Sequence, residues 1–498
     1  VRLTGLDLAV IAAYMAALSA IGVYFGRRQD SREEYLLGGR RIHWLLAGGS
    51  VVATLLSTLT YLAVPGEMIR YGLAYFTGLA GLPLAIPVVT RLLLPRLMAL
   101  RITSMYEYLE RRYSPAMRTL AAAIFTLRTL VWMGLIIYSC SLAVAEMSGW
   151  NLYWTIAVTG LVTTFYASAG GLRTVIWTDN LQLAVLMGGA LAIPLSIAAR
   201  TAAGPLRWWE LFAAAGHTRI EFFRFDLTVR LTVVGAMLSQ FFWSACTQGS
   251  DQVAVQRYLA TPSLAAAKRS AWVYLAINLT LVALLALCGL ALFAFYFERS
   301  GLSVAAFQSQ IAPVADSLMP RFIVEELPPG ISGLLLAALL AAAMSSLSSG
   351  INSVAAVVSS DLLGRRGAHG SSLALAKGVS AAAGLLAVVL AAVTAWAVSR
   401  TEWNLIDLSQ RLNHIFVGPL AVLFFAGILF ARVDVWAGLA GFVIGTGWSL
   451  LVAFGSGWLG LAEPISFTWL VPGSFVAGLA AALGAAKFSC KSVDGMTK

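Results

Sequence analysis

The sequence predicts an all-α, polytopic membrane protein of about 13 transmembrane helices, and three observations lead there. Of its 498 residues, 59% are hydrophobic and only 11% are charged, against about 25% charged in soluble domains. That leaves too little polar surface to cover a water-soluble globule. Apolar runs of about 20 residues recur along the chain, each long enough to cross a bilayer core of roughly 30 Å. The Lys and Arg between the runs are denser in alternate loops, the pattern that cytoplasmic enrichment of cations produces. A soluble enzyme or nucleic-acid binder is thereby excluded, and the net charge of +11 is read as loop cations.

Taken in order, the first span, 5–26, begins near Leu6 and is too long for the apolar core of a signal peptide. The second, 44–70, is rich in hydroxyls and contains Pro65-Gly66, expected to end or kink it. The third, 73–98, is followed by an amphipathic stretch, 104–118, expected along the membrane face. The fourth, 117–146, places Arg128 near mid-membrane. Further runs at 151–169, 174–200, 229–250, 269–297, 329–362, 371–399, 405–431, 435–455 and 467–487 complete the set. The chain reads as one transporter-sized transmembrane domain, 1–498, without a separate soluble domain.

Alternating the loops from the first one gives that side about 21 of the 34 Lys and Arg, so it is expected to be cytoplasmic. The N-terminus then lies outside and the C-terminus inside, in a cell (inner or plasma) membrane. The two longest loops, 201–228 and 298–328, fall outside and carry Glu210, Glu221, Asp226, Glu298, Asp316, Glu325 and Glu326. Cys140, Cys246, Cys288 and Cys490 lack metal-ligand spacing and do not read as a disulfide framework. His43, His217, His369 and His414 are dispersed and form no catalytic motif, so the chain does not read as an enzyme.

Polar groups inside spans are costly in hydrocarbon and are the first candidates for function. The second span offers Ser50, Thr54, Ser57, Thr58 and Thr60, useful either for close helix packing or as ligands. The ninth reads LLAAAMSSLSSGINS; Ser345, Ser348 and Ser349 fall at i, i+3 and i+4 on one face, with Ser346 beside them. Such a face is either a small-residue packing seam or a set of neutral oxygens of the kind a hard cation wants. Asp179 stands at the expected start of the sixth span, where a first-turn cap is the commoner use and a cation ligand the alternative. Arg128 needs a carboxylate, a wet cavity or an anionic ligand; Glu67 is a candidate partner.

Six strings in this order resemble the sodium/solute symporter family: EEYLLGGRRIHW, LSTLTYLAVPGEMIRYG, GGLRTVIWTDNLQ, GSDQVAVQRYLAT, LLAALLAAAMSSLSSGINS and VGPLAVLFFAGILF. The second of them looks closest to the monocarboxylate, multivitamin and sialic acid branches. The resemblance implies a LeuT-type core of two inverted five-helix repeats, 44–200 and 229–431, with peripheral helices in 435–487. It implies a first sodium bound by Ala53, Leu56, Ala342, Ser345 and Ser346, and a second by Asp179, Ser345, Ser348 and Ser349. Motif position and polarity within spans give Ser57, Thr60, Tyr75, Gln248, Gln410 and Asn413 as candidate substrate contacts. Trp132 stands where the sialic acid branch carries an arginine, with Arg128 one turn away.

The expectation is a sodium-coupled symporter that imports a small polar or anionic organic solute by alternating access. Its partners would be the solute, sodium and the lipid bilayer, with no nucleic acid and no obligate protein partner. Two alternatives stay open on the residues: a proton-coupled carrier of the same fold with Asp179 titrating, or a transporter-like sensor. The tail of about 11 residues after the last span is short for a sensor's output domain.

Overall fold

The computed structural model describes residues 3–27, 29–201, 203–223, 229, 232–364, 372–398, 400, 413–459 and 465–495, without the side chains of residues 59, 75, 312, 456–459 and 487–495. Among these residues all regular structure is helical. Nine helices are long and apolar enough to cross a membrane, ten with a bent pair, Trp44–Leu55 and Thr60–Ala74, whose halves meet at 66°.

One of the nine, Leu152–Thr201, has 50 residues and so covers about 75 Å, over twice the bilayer core. It holds the two spans expected at 151–169 and 174–200. Gly171 joins them with φ 60° and ψ −159°, a conformation open to glycine but not to residues with a Cβ. A Cβ there would also lie 2.4 Å from the Tyr35 carbonyl oxygen. The runs expected at 229–250 and 405–431 correspond to shorter helices, Val233–Ser250 and Val417–Leu429.

The second span differs from expectation in where it breaks. The first half, Trp44–Leu55, stops at Leu56, which is extended (φ −88°, ψ 107°). Ser57 then caps the second half, Thr58–Tyr71, its hydroxyl accepting from the Thr60 amide at 3.3 Å. Pro65 is accommodated within that second half and does not end it. The stretch 104–118 also divides: Glu107–Arg112 is a separate short helix, and Pro115 opens the fourth long helix, Pro115–Ser148.

At the centre is the serine-bearing helix Ile331–Val357, packed against Leu152–Thr201, Pro115–Ser148 and the first helix, Gly5–Gly26. Its N-terminus is satisfied from outside. Asp7 of the first helix accepts from the amides of Gly330 and Gly333 at 2.7 and 2.8 Å on one oxygen. The other oxygen takes the amide and hydroxyl of Thr4 at 2.9 and 2.6 Å. A carboxylate at that end complements the helix dipole and fills amides that the helix itself leaves free. Asp7→Ala is expected to cost about 2–3 kcal/mol, because buried donors lose a charged acceptor. Asp7→Asn, which keeps one acceptor oxygen, should cost less; thermal unfolding of both variants in detergent checks the order.

Candidate functional site

The break in the second span frees carbonyl groups that a continuous helix would use, and the serine helix meets them with hydroxyls. Ser345 Oγ donates to the Ala53 carbonyl at 2.8 Å and lies 3.2 Å from that of Ala342 in its own helix. Ser346 Oγ donates to the Thr54 carbonyl at 2.8 Å. On the far side of the break, Thr58 Oγ1 donates to the Leu339 carbonyl at 2.9 Å, so both halves are tied to the same helix. Ala53, Ala342, Ser345 and Ser346 therefore converge, and Leu56 is the extended residue at the break itself. These are neutral oxygens, largely on backbone, suited to a hard monovalent cation that needs several oxygen ligands without a buried counter-charge.

Asp179 belongs to a second cluster. It lies about two turns past Gly171 inside a helical stretch and is fully buried, so the first-turn cap expected of it is not what the structure contains. One carboxylate oxygen accepts from Ser50 at 2.6 Å and from Thr54 and Ser349 at 3.3 Å. The other oxygen is buried without a hydrogen-bond partner. Thr54 and Ser349 share a hydrogen bond of 2.7 Å. Ser348, by contrast, returns its hydroxyl to the Ser345 carbonyl of its own helix at 3.1 Å. The predicted serine face is thus divided: Ser349 turns to Asp179, Ser345 and Ser346 turn to the break, and Ser348 stays within its helix.

Sequence reading missed Arg257, which is fully buried beside Asp179. It occupies a short helix, Gln252–Leu259, every residue of which is buried. Gln256 of that helix donates to the Leu36 carbonyl and to Asn352 Oδ1, both at 2.8 Å, and Gln252 accepts from the Met105 amide at 2.9 Å. The guanidinium lies 3.7 Å from the Asp179 carboxylate, donates to Ser50 Oγ at 3.2 Å, and is hydrogen-bonded to Ser349 and to the Val253 carbonyl. A protein cation therefore shares two of the three hydroxyls around the aspartate, those of Ser50 and Ser349. The signal lay in GSDQVAVQRYLAT, where Asp251 is a good N-cap: its Oδ1 accepts from the Val253 amide at 2.9 Å. The helix falls between the spans expected at 229–250 and 269–297, where no element was expected.

Arg128 pairs with Asp251, not with Glu67 as the sequence suggested. The pair joins Pro115–Ser148 to the junction between Val233–Ser250 and Gln252–Leu259. Trp132, one turn on, packs against the hydrophobic core.

The candidate substrate contacts are less gathered. Ser57 and Thr60 hydroxyls lie 3.2 Å apart at the start of the second half-helix. Gln248 is buried with both ends of its amide engaged, donating to Ser244 Oγ and accepting from the Tyr258 hydroxyl, each at 2.6 Å. Asn413 is half-buried. Gln410 and the Tyr75 side chain lie outside the described residues.

Residues 35–445 match the family described as "Sodium:solute symporter family". The chain is 31% identical over 466 residues to the sodium/sialic acid symporter SiaT of Proteus mirabilis (strain HI4320), covering 91% of this chain and 90% of that protein. It is 30% identical over 465 residues to sodium-coupled monocarboxylate transporter 1 of Homo sapiens, covering 90% and 73%. Among solved structures it is similar to a substrate-bound, outward-open Na+-coupled sialic acid symporter, with TM-score 0.83, 28% identity, and 97% and 98% of the two chains covered. A nucleobase-cation-symport-1 family transporter shares the fold at TM-score 0.58 and 13% identity, covering 94% and 96%.

Proposed function

Since this chain belongs to the sodium:solute symporter family, we propose that it holds its coupling sodium where the serine helix crosses the broken second span. It is a multi-pass membrane symporter that moves a small solute together with sodium. The ligands assigned are the carbonyls of Ala53, Leu56 and Ala342 and the hydroxyls of Ser345 and Ser346. The observation that carries the assignment is the pair of serine hydroxyls seated on the carbonyls of Ala53 and Thr54 at the break. Asp179, Ser345, Ser348 and Ser349 are assigned to a second sodium. The unpartnered buried oxygen of Asp179 supports that reading, and Arg257 is its resident competitor.

The core is read as two inverted repeats, 44–200 and 229–431, with 435–487 peripheral. The first loop is taken as cytoplasmic, so the N-terminus is outside and solute enters with sodium. Each sodium moved inward gains about 2.3 kcal/mol per 100 mV of inward-negative potential, and a second would multiply the attainable solute gradient. Sodium at the junction of the second and ninth spans would order the site that binds solute, and solute would raise sodium affinity by the same factor. No enzyme activity and no obligate protein partner form part of this reading.

The solute class is small, polar or anionic. Sialic acid and monocarboxylates, named for the relatives, are its first candidates. Trp132 in place of a carboxylate-binding arginine, and Arg128 already paired with Asp251, weigh toward the smaller acids. Ser57 and Thr60, at the free start of a half-helix, are the contacts best placed for a solute; Tyr75, Gln248, Gln410 and Asn413 complete the proposed set. The test is thermal stability of the purified protein in sodium or choline with lactate, pyruvate, pantothenate, sialic acid, proline, glucose or iodide. One solute should stabilise only when sodium is present. Stabilisation by solute equally well in choline would overturn sodium coupling at this site.

A further inference from the structure

The first helix, Gly5–Gly26, and the first half of Leu152–Thr201 run in the same direction and meet unevenly. Toward the first-loop side they touch backbone to backbone: a Cβ on Gly22 would lie 2.6 Å from that of Tyr166, and one on Gly26 would lie 2.9 Å from the Ala169 carbonyl. Toward the other side they splay. The gap between them is a groove of about 480 Å³, within the range of small-molecule sites. One wall is the stripe Leu8, Ile11, Ala12 and Met15, and the other runs from Trp150 to Thr159. The two stripes follow helical spacing of i, i+3, i+4 and i+7.

From these observations we infer that the groove holds one acyl chain of a membrane lipid. Its lining is almost wholly apolar. Three polar residues line it, Asn151, Thr155 and Thr159; Asn151 Oδ1 accepts from the Tyr153 and Trp154 amides at 3.0 and 3.2 Å, and Thr155 Oγ1 donates to the Asn151 carbonyl at 3.1 Å. No charged side chain lines it, so nothing there calls for a charged ligand. Both walls belong to membrane-spanning helices, so what reaches the groove is lipid. From Asn151 to Thr159 the wall rises about 12 Å, close to the depth of one leaflet of a core roughly 30 Å thick. Trp150 and Trp154 stand at its mouth, as aromatic residues do at the membrane interface.

A helix from another subunit fits this surface poorly. Membrane helices approach through small residues, whereas Trp154, 72% exposed, and Leu8, 43% exposed, stand on the rim. A flexible chain passes between them. The floor is Leu340 of the serine helix. Its neighbour Leu339 accepts the Thr58 hydroxyl that ties down the broken span, and Ala342 follows one half-turn later. An occupied groove thus supports the helix that bears the proposed ion ligands, although the lipid site itself does not depend on that assignment.

The test reconstitutes the full chain in palmitoyl-oleoyl phosphatidylcholine vesicles with a trace of phosphatidylcholine carrying a diazirine on its acyl chain. After illumination, label should concentrate on peptides from 8–15 and 150–159 above the other lipid-facing helices. Ala12→Phe, which fills the groove, should reduce that label to the level of those helices. Ala13→Phe, on the same helix but outside the lining, should not, and Val158→Phe is a second filler if Ala12→Phe does not assemble. Even labelling of all exposed helices in the unaltered protein, or label that survives both fillers, would overturn the inference. So would light-independent burial of the groove in a stable dimer.

Discussion

Ser345→Ala is expected to leave a folded protein whose thermal stability no longer rises with sodium and whose solute uptake loses its sodium dependence. The hydroxyl makes two distinguishable contributions. As a hydrogen-bond donor to the Ala53 carbonyl it ties the broken span to the serine helix, an effect of about 1 kcal/mol that is the same in any salt. As an ion ligand it acts only when sodium is bound, and that part grows with sodium concentration: about 2.7 kcal/mol at 100 times the dissociation constant. Melting curves in sodium and in choline therefore separate them. If the variant is destabilised equally in both salts and still gains from added sodium, Ser345 is a packing residue and the ion lies elsewhere. Ser346→Ala should follow Ser345→Ala, because its hydroxyl meets the next carbonyl of the same break. Ser348→Ala should leave the response of the first site in place and remove only the part due to the second sodium. Ser348 alone of the three is assigned to that ion without sharing the first, and its hydroxyl rests on the Ser345 carbonyl at 3.1 Å and not on the break.

The reasons for that contrast also mark what a sequence can and cannot convey. Span positions were legible because twenty-residue apolar runs have few alternatives in a chain this poor in charge. Even the division of the 50-residue helix fell within a few residues of Gly171, where the hydropathy lapses around GGLRT. The break at Leu56–Ser57 was not legible. LLSTLT holds no proline or glycine, and the carbonyls it frees are satisfied by Ser345 and Ser346, nearly 300 positions away in sequence. Pro65, the residue that looked like the breaker, lies inside a helix whose neighbours absorb it.

Charge was harder still. Arg257 and the exposed Arg of a cytoplasmic loop are the same letter, and only the fold brings Arg257 to Asp179. Arg128 found Asp251 for the same reason: Glu67, the partner suggested by its place after the second-span hydroxyls, is not the one the fold brings to it. The clustering of hydroxyls on the serine helix could be read from the sequence, whereas the pairing of buried charges could not.

That pairing sets the second large expectation. Arg257→Met should destabilise the protein by about 3–5 kcal/mol in choline, since removing one member of a buried ion pair strands the other charge. In sodium the loss should be smaller. Asp179 would keep its carboxylate, its unpartnered oxygen and the hydroxyls of Ser50, Thr54 and Ser349, and a mobile cation could enter where the tethered one had been. Sodium should then stabilise Arg257→Met more than it stabilises the unaltered protein. The double variant Arg257→Met with Asp179→Asn separates this from a general loss of packing. With both charges gone, the choline stability should recover in large part, and the extra sodium response should vanish. Equal destabilisation of Arg257→Met in both salts would mean that the aspartate does not accept sodium and that the pair is structural. The opposite result gives the arrangement a physical role: a guanidinium 3.7 Å from the carboxylate competes with the second sodium for one acceptor, so this ion binds weakly and is released readily when the site opens toward the cell interior.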